Sequence, residues 1–133
     1  MAPLLIVVDP SRGVPVYRQL MDQIKFHVAS GLLSPGDELP STRALSSELG
    51  VNPMTVSKAY SFLEKEDVVE RRPGRPLVVR ALDEEPLQQR KLDQLRESLA
   101  GPVTIARQLG LDPELAQRLF AEMLNEEDSG RQA

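Results

Sequence analysis

The dipeptide Asn52-Pro53 constrains this chain more than any other feature, because it fixes where one helix begins and where the preceding turn must end. Asn at an N-cap accepts hydrogen bonds from first-turn amides, and Pro at the first helical position sacrifices no backbone bond. Val56, Ala59, Tyr60 and Leu63 follow at helical spacing, so they form one apolar face. Met54, Lys58, Ser61 and Lys65 fall opposite, with Ser57 beside them. Only Gly50-Val51 separates this start from an earlier short helix, which Ser41 caps and which runs to Leu49 with Ala44, Leu45 and Leu49 inward.

The segments on either side complete a recognisable order. Tyr17, Leu20, Ile24 and Val28 mark the apolar stripe of a helix entered through Pro15 and ended by Gly31. Ser34-Pro35-Gly36-Asp37 has turn chemistry. Beyond the Asn52 helix, 68–72 and 75–80 read as two strands joined by Pro73-Gly74, a hairpin tipped by arginines. Helix, helix, turn, helix, hairpin is the order of a winged helix-turn-helix. The run Leu4-Leu5-Ile6-Val7-Val8 reads as a strand; it lacks a basic leader and is far shorter than the roughly 20 apolar residues of a membrane span.

After Asp83-Glu84-Glu85-Pro86, Leu92, Leu95 and Leu99 begin a second stripe, which Val103, Ala106 and Leu109 continue. Gly101-Pro102 is expected to bend or interrupt that helix, since Pro removes a bond and crowds the preceding turn. Asp112-Pro113 repeats the cap-plus-proline signal, and Leu115, Leu119, Phe120 and Met123 line a last helix that frays from about Asn125. Two such helices cannot enclose a core, so they need a partner surface. Pairing with a second copy is favoured over packing back on the same chain, and would set two recognition helices roughly 34–36 Å apart on a near-palindromic operator. The expected fold is α+β and mainly α. Residues 1–82 form the winged domain, 83–125 a helical dimerisation region and 126–133 a flexible tail.

Charge sharpens this division. The 133 residues carry a net charge of -4, which for the chain as a whole disfavours a polyanionic partner. Yet residues 15–80 hold nine basic and eight acidic side chains, whereas 81–133 hold six and eleven. Arg71, Arg72, Arg75 and Arg80 lie within ten positions, so a basic field is local. With no Cys and one His, a thiolate zinc site and a His-rich metal centre are excluded, and a cytoplasmic setting fits. Carboxylate pairs such as Glu64/Glu66 have no nucleophile beside them, so no enzyme, cofactor or metal is expected; an effector is left unassigned.

Candidate DNA contacts follow from chemistry. Thr55, Ser57 and Lys58 sit near the capped helix start, where hydroxyls can bond phosphate or base edges and Lys can meet phosphate or guanine. For Lys65 a solvated helix face is the better reading. Arg75, at the Arg72-Pro73-Gly74-Arg75-Pro76 tip, could enter a narrow minor groove or bind phosphate.

The stretch from Pro15-Val16-Tyr17-Arg18-Gln19-Leu20 through Val79 resembles the DNA-binding domain of GntR-family regulators. Pro35-Gly36-Asp37, Leu39-Pro40-Ser41-Thr42-Arg43, Leu49-Gly50-Val51-Asn52, Thr55-Val56, Ala59-Tyr60, Leu63-Glu64 and Val69-Glu70-Arg71-Arg72 carry the match, in order and spacing. The tail, with Ala106-Arg107-Gln108-Leu109-Gly110-Leu111, looks like the YtrA-type branch, whose last two helices dimerise without a ligand pocket. The resemblance implies a homodimeric, operator-binding repressor, commonly set beside transporter genes. It also implies DNA contacts from Arg43, Asn52, Thr55, Ser57 and the wing's Gly74. Pro53-Met54 stands where many relatives carry a basic residue, so Met54 is expected to read DNA through apolar contact, against a thymine methyl. Pro76-Leu77 replaces the usual Gly-Thr after the wing arginine. A protein-interaction module of the same fold, with an acidic tail docking a partner, is the rival.

Overall fold

The structure, a computed structural model, describes residues 6–80 and 87–132, with side chains described up to residue 126. The chain divides into two compact units, Met1–Gln94 and Leu95–Ala133. The expected boundary at residues 82 and 83, with its acidic linker, lies outside the described residues.

Three helices and a hairpin, with a short turn of 3-10 helix at Pro10–Arg12 and the opening turns of the helix that begins at Leu87, make the first unit. Helix α1 (Val16–Ala29) and helix α2 (Thr42–Leu49) precede α3 (Pro53–Lys65), and strands β1 (Val69–Glu70) and β2 (Val78–Val79) pair antiparallel. Leu20, Ile24 and Val28 of α1, Leu45 of α2, and Val56, Ala59, Tyr60 and Leu63 of α3 are buried, with Val69 and Val79 closing the core beneath the sheet. Local signals start and stop these helices as anticipated. The Ser41 hydroxyl accepts from the Ala44 amide at 3.0 Å, and Asn52 Oδ1 accepts from the Met54 amide at 2.8 Å. Gly50, at φ +68°, turns the chain between α2 and α3 in the left-handed region that a side chain would strain.

Several local expectations are corrected. Of the strand expected over residues 4–8, the described part forms no ladder: the Gln23 side-chain amide takes both the Val7 N–H and its carbonyl, at 2.9 and 2.7 Å. A glutamine amide offers the donor and acceptor that a neighbouring strand would offer, so the backbone is satisfied without a sheet. Gln19, itself buried, does the same for Asp9. In α2, Ala44 is exposed and Ser46 is buried, its hydroxyl returned to the Arg43 carbonyl at 3.0 Å.

The hairpin is shorter than the two runs suggested, because Pro73 and Pro76 have no N–H to contribute to a ladder. Its outer side gains a different partner: Glu38 bridges Val78, and the Leu39 N–H reaches the Leu77 carbonyl at 2.8 Å. The loop before α2 is thereby tied to the wing.

In the carboxy-terminal part, α4 (Leu87–Gln108) runs unbroken through Gly101 and Pro102, so of the expected bend or interruption the interruption does not occur. Pro costs one backbone bond, but residues 100–105 are all exposed, so water can serve the orphaned carbonyl. Gly110 closes the helix, with the Leu111 N–H returned to the Ala106 carbonyl at 3.1 Å. Helix α5 (Pro113–Gln132) starts where Asp112 Oδ1 accepts from the Glu114 amide. Its helical backbone passes the expected fraying point at about Asn125 and reaches Gln132, in a stretch free of Pro. Among the described residues no helix is long and apolar enough to cross a membrane.

Candidate nucleic-acid interface

The amino-terminal half of α3 is held in place from three sides. Its buried stripe packs on α1 and α2, the Tyr60 hydroxyl donates to the Pro40 carbonyl at 2.8 Å, and Lys25 of α1 bonds Glu66 at 3.0 Å just past the helix end. Burial pushes the Tyr60 hydroxyl well above its ordinary pKa, so it stays a donor. A helix fastened at the middle and the far end presents its capped end as a rigid edge.

What that edge presents is accessible, with polar side chains set around an apolar one. Asn52, Met54, Thr55, Ser57, Lys58 and Ser61 line one open concavity of about 500 Å³. Met54 is 79% exposed, the most exposed large apolar side chain among the described residues. An apolar side chain held out at a helix start loses favourable burial unless a partner covers it. Asn52 spends its side-chain oxygen on the cap, which leaves its amide N–H groups to face outward. The helix dipole adds a positive field there. Ser61 was not among the expected contacts; its place one turn beyond Ser57 and Lys58 on the outward face was the available signal.

The expected wing and α2 residues do not join this concavity. Arg43 is exposed on α2 and carries no ion pair among the described residues. At the wing, the Arg75 N–H closes the turn on the Arg72 carbonyl at 3.1 Å, and Gly74 takes φ +67°. The arginines there are not equivalent. Arg71 lies 3.5 Å from Glu64, Arg72 2.9 Å from Glu70, and Arg80 2.8 Å from Asp67, whereas Arg75 has no carboxylate partner among the described residues. Exposed pairs of this kind are worth about 0–1 kcal/mol, so a phosphate could displace them, but Arg75 needs no exchange.

A capped helix projecting from a three-helix core, with a short turn before it and a hairpin after it, defines a winged helix-turn-helix DNA-binding regulator. The chain belongs to the gntR family of bacterial regulatory proteins, whose model matches residues 16–79. It is 32% identical to the HTH-type transcriptional repressor YtrA of Bacillus subtilis (strain 168), over 96% of this chain and 98% of that one. A solved structure of YtrA from Sulfolobus acidocaldarius, a GntR-family transcription factor, is 39% identical with TM-score 0.55, covering 71% of this chain and 97% of the other. A crystal structure described as a transcriptional antiterminator from Listeria monocytogenes EGD-e has TM-score 0.69 at 30% identity, covering 88% and 87%. These likenesses extend past the winged unit into the carboxy-terminal helices, and the YtrA-type branch is the part of the family they identify.

Proposed function

We propose that the chain is a non-catalytic, cytoplasmic repressor that occupies a near-palindromic operator as a homodimer, with transporter genes among its targets. The observation that carries the DNA half is an open surface on which Asn52, Met54, Thr55, Ser57 and Lys58 meet around a capped helix end. In this reading Met54 packs on a thymine methyl, Asn52 and the two hydroxyls bond base edges or phosphate, Arg43 holds the backbone from α2, and Arg72, Gly74 and Arg75 approach from the wing. The name of the Bacillus relative supports repression.

The homodimer rests on exposed apolar surface. In α4 and α5, Leu92, Leu95, Val103, Leu115, Leu119, Phe120 and Met123 are 40–54% exposed, and no residue of α4 is buried. Leu99 and Ala106 are half-buried on the same helix. A second copy would cover these residues and set two α3 helices about one duplex turn apart.

The experiment is fluorescence anisotropy against a randomised palindrome library, followed by selection of bound genomic fragments. Sequence-selective, salt-dependent binding with two chains per duplex is expected. Absence of selective binding at any salt concentration would sink the reading and favour a protein-docking role for the same fold.

A further inference from the structure

Both lysines of α3 lie over aromatic rings, Lys65 with its ammonium 5.5 Å from the centre of Phe62 and Lys58 closer to a ring of another helix. The Lys58 ammonium sits 4.1 Å from the centre of the Tyr17 ring, on α1. Tyr17 in turn stacks on Phe62, with ring centres 5.6 Å apart and planes 22° from parallel. Both rings are half-buried and pack against the core, so the surface beneath the ammonium is fixed by the fold. Lys58 and Phe62 are one turn apart and share the flank of α3 that meets α1, while Ser57 lies about 100° round the helix.

We infer that Tyr17 is a positioning residue: its ring holds Lys58 at the α1 flank of the recognition helix, where the ammonium clamps a DNA phosphate and does not read a base. This rests on α3 lying against a duplex. Three facts support it. A lysine stem is long and flexible, and a cation over a π face loses much of that freedom before any partner arrives. The ring covers only one side of the ammonium, so its outward N–H groups remain available to an anion. An ammonium drawn toward α1 is drawn away from the Met54 and Ser57 side of the helix, so it reaches the edge of a groove more readily than its floor. Ammonium-to-phosphate contact is a point-charge interaction that needs no fork geometry, which suits Lys.

The test uses the full chain, a duplex recovered by selection and a scrambled duplex of equal length, titrated over a salt series. Lys58→Gln should weaken both duplexes by the same factor, about tenfold or more at low salt, and flatten the salt slope by about two, one for each subunit of the dimer. Tyr17→Leu should reproduce much of that flattening, and Tyr17→Phe should restore wild-type behaviour, because the ring and not the hydroxyl does the holding. The double variant should bind no worse than Lys58→Gln alone. Lys65→Gln removes the same charge farther along α3 and should change the slope much less. Ring-current shifts of the Lys58 ε-protons, read by NMR on the wild-type protein without DNA, give a measure that survives if Tyr17→Leu misfolds; their absence would overturn the inference. So would a loss confined to the selected duplex, which marks a base contact, or an equal effect from Lys65→Gln, which marks net charge. If the wild type binds neither duplex, the DNA reading itself fails, while the ring-current shifts would still be seen.

Discussion

The winged unit and the carboxy-terminal helices use the same aliphatic side chains to opposite ends. In the first, Leu20, Leu45 and Leu63 have no accessible surface, whereas in the second Leu92, Leu95, Leu115 and Leu119 keep 43–52% of theirs. Three helices crossing over a sheet leave each apolar stripe facing another, so burial is complete within one chain. Two helices have no third layer to close over them. The contrast shows that amphipathic periodicity specifies a helix and its sticky face, but enclosure needs enough elements to surround that face.

Four substitutions can break or sharpen this contrast. Leu45→Ala, in the enclosed core, should cost about 2–5 kcal/mol in chemical denaturation, at low and high protein concentration alike. A cost under about 1 kcal/mol would show that α2 is loosely held. Leu95→Asp, on the open face, should instead weaken self-association by about 100-fold or more, since burying an unpaired charge costs several kcal/mol. Light scattering reports this directly; a persistent dimer moves the interface elsewhere.

Arg43→Ala should leave circular dichroism unchanged while weakening operator binding and reducing its salt slope by about two, one for each subunit. If affinity and slope both hold, that residue leaves the interface. Tyr60→Phe should cost about 1 kcal/mol at neutral pH through the lost bond to Pro40. Its larger signature is in the pH profile. Burial raises the Tyr60 pKa above the ordinary 10.0, so an unfolded chain releases this proton before the folded one does. The wild type should therefore keep this part of its stability below about pH 10 and lose it as pH rises further, and the Phe variant should lack that decline. Parallel alkaline profiles for the two proteins would argue that the hydroxyl is solvated.

Much of the winged unit was legible because its signals are local. Ser41, Asn52 and Asp112 each bond an amide two or three residues away, and the buried face of α3 repeats at helical spacing. The misreadings have different causes. Whether Val7 pairs with a strand or with Gln23, sixteen positions distant, depends on where α1 passes, which no window of adjacent residues records. Ser46 replaces Ala44 inside α2 because a hydroxyl can satisfy itself on the Arg43 carbonyl and then be buried like a small apolar group. At Pro102 the chemistry of proline allows a bend or an interruption, and the exposed helix around it tolerates the missing bond without interruption.

The recognition surface divides in the same way. Amino-acid order alone determined that a capped helix would begin at Asn52-Pro53 with Met54, Ser57 and Lys58 outward, since helix caps and the helical repeat act over a few bonds. Only the tertiary structure decided that Lys58 would rest on Tyr17, that Arg71, Arg72 and Arg80 would meet carboxylates while Arg75 would not, and that Tyr60 would anchor the helix to Pro40. Apart from Arg72 and Glu70, which are two residues apart, those pairings are made through space, at a few ångströms between side chains whose meeting depends on how the helices and the hairpin pack.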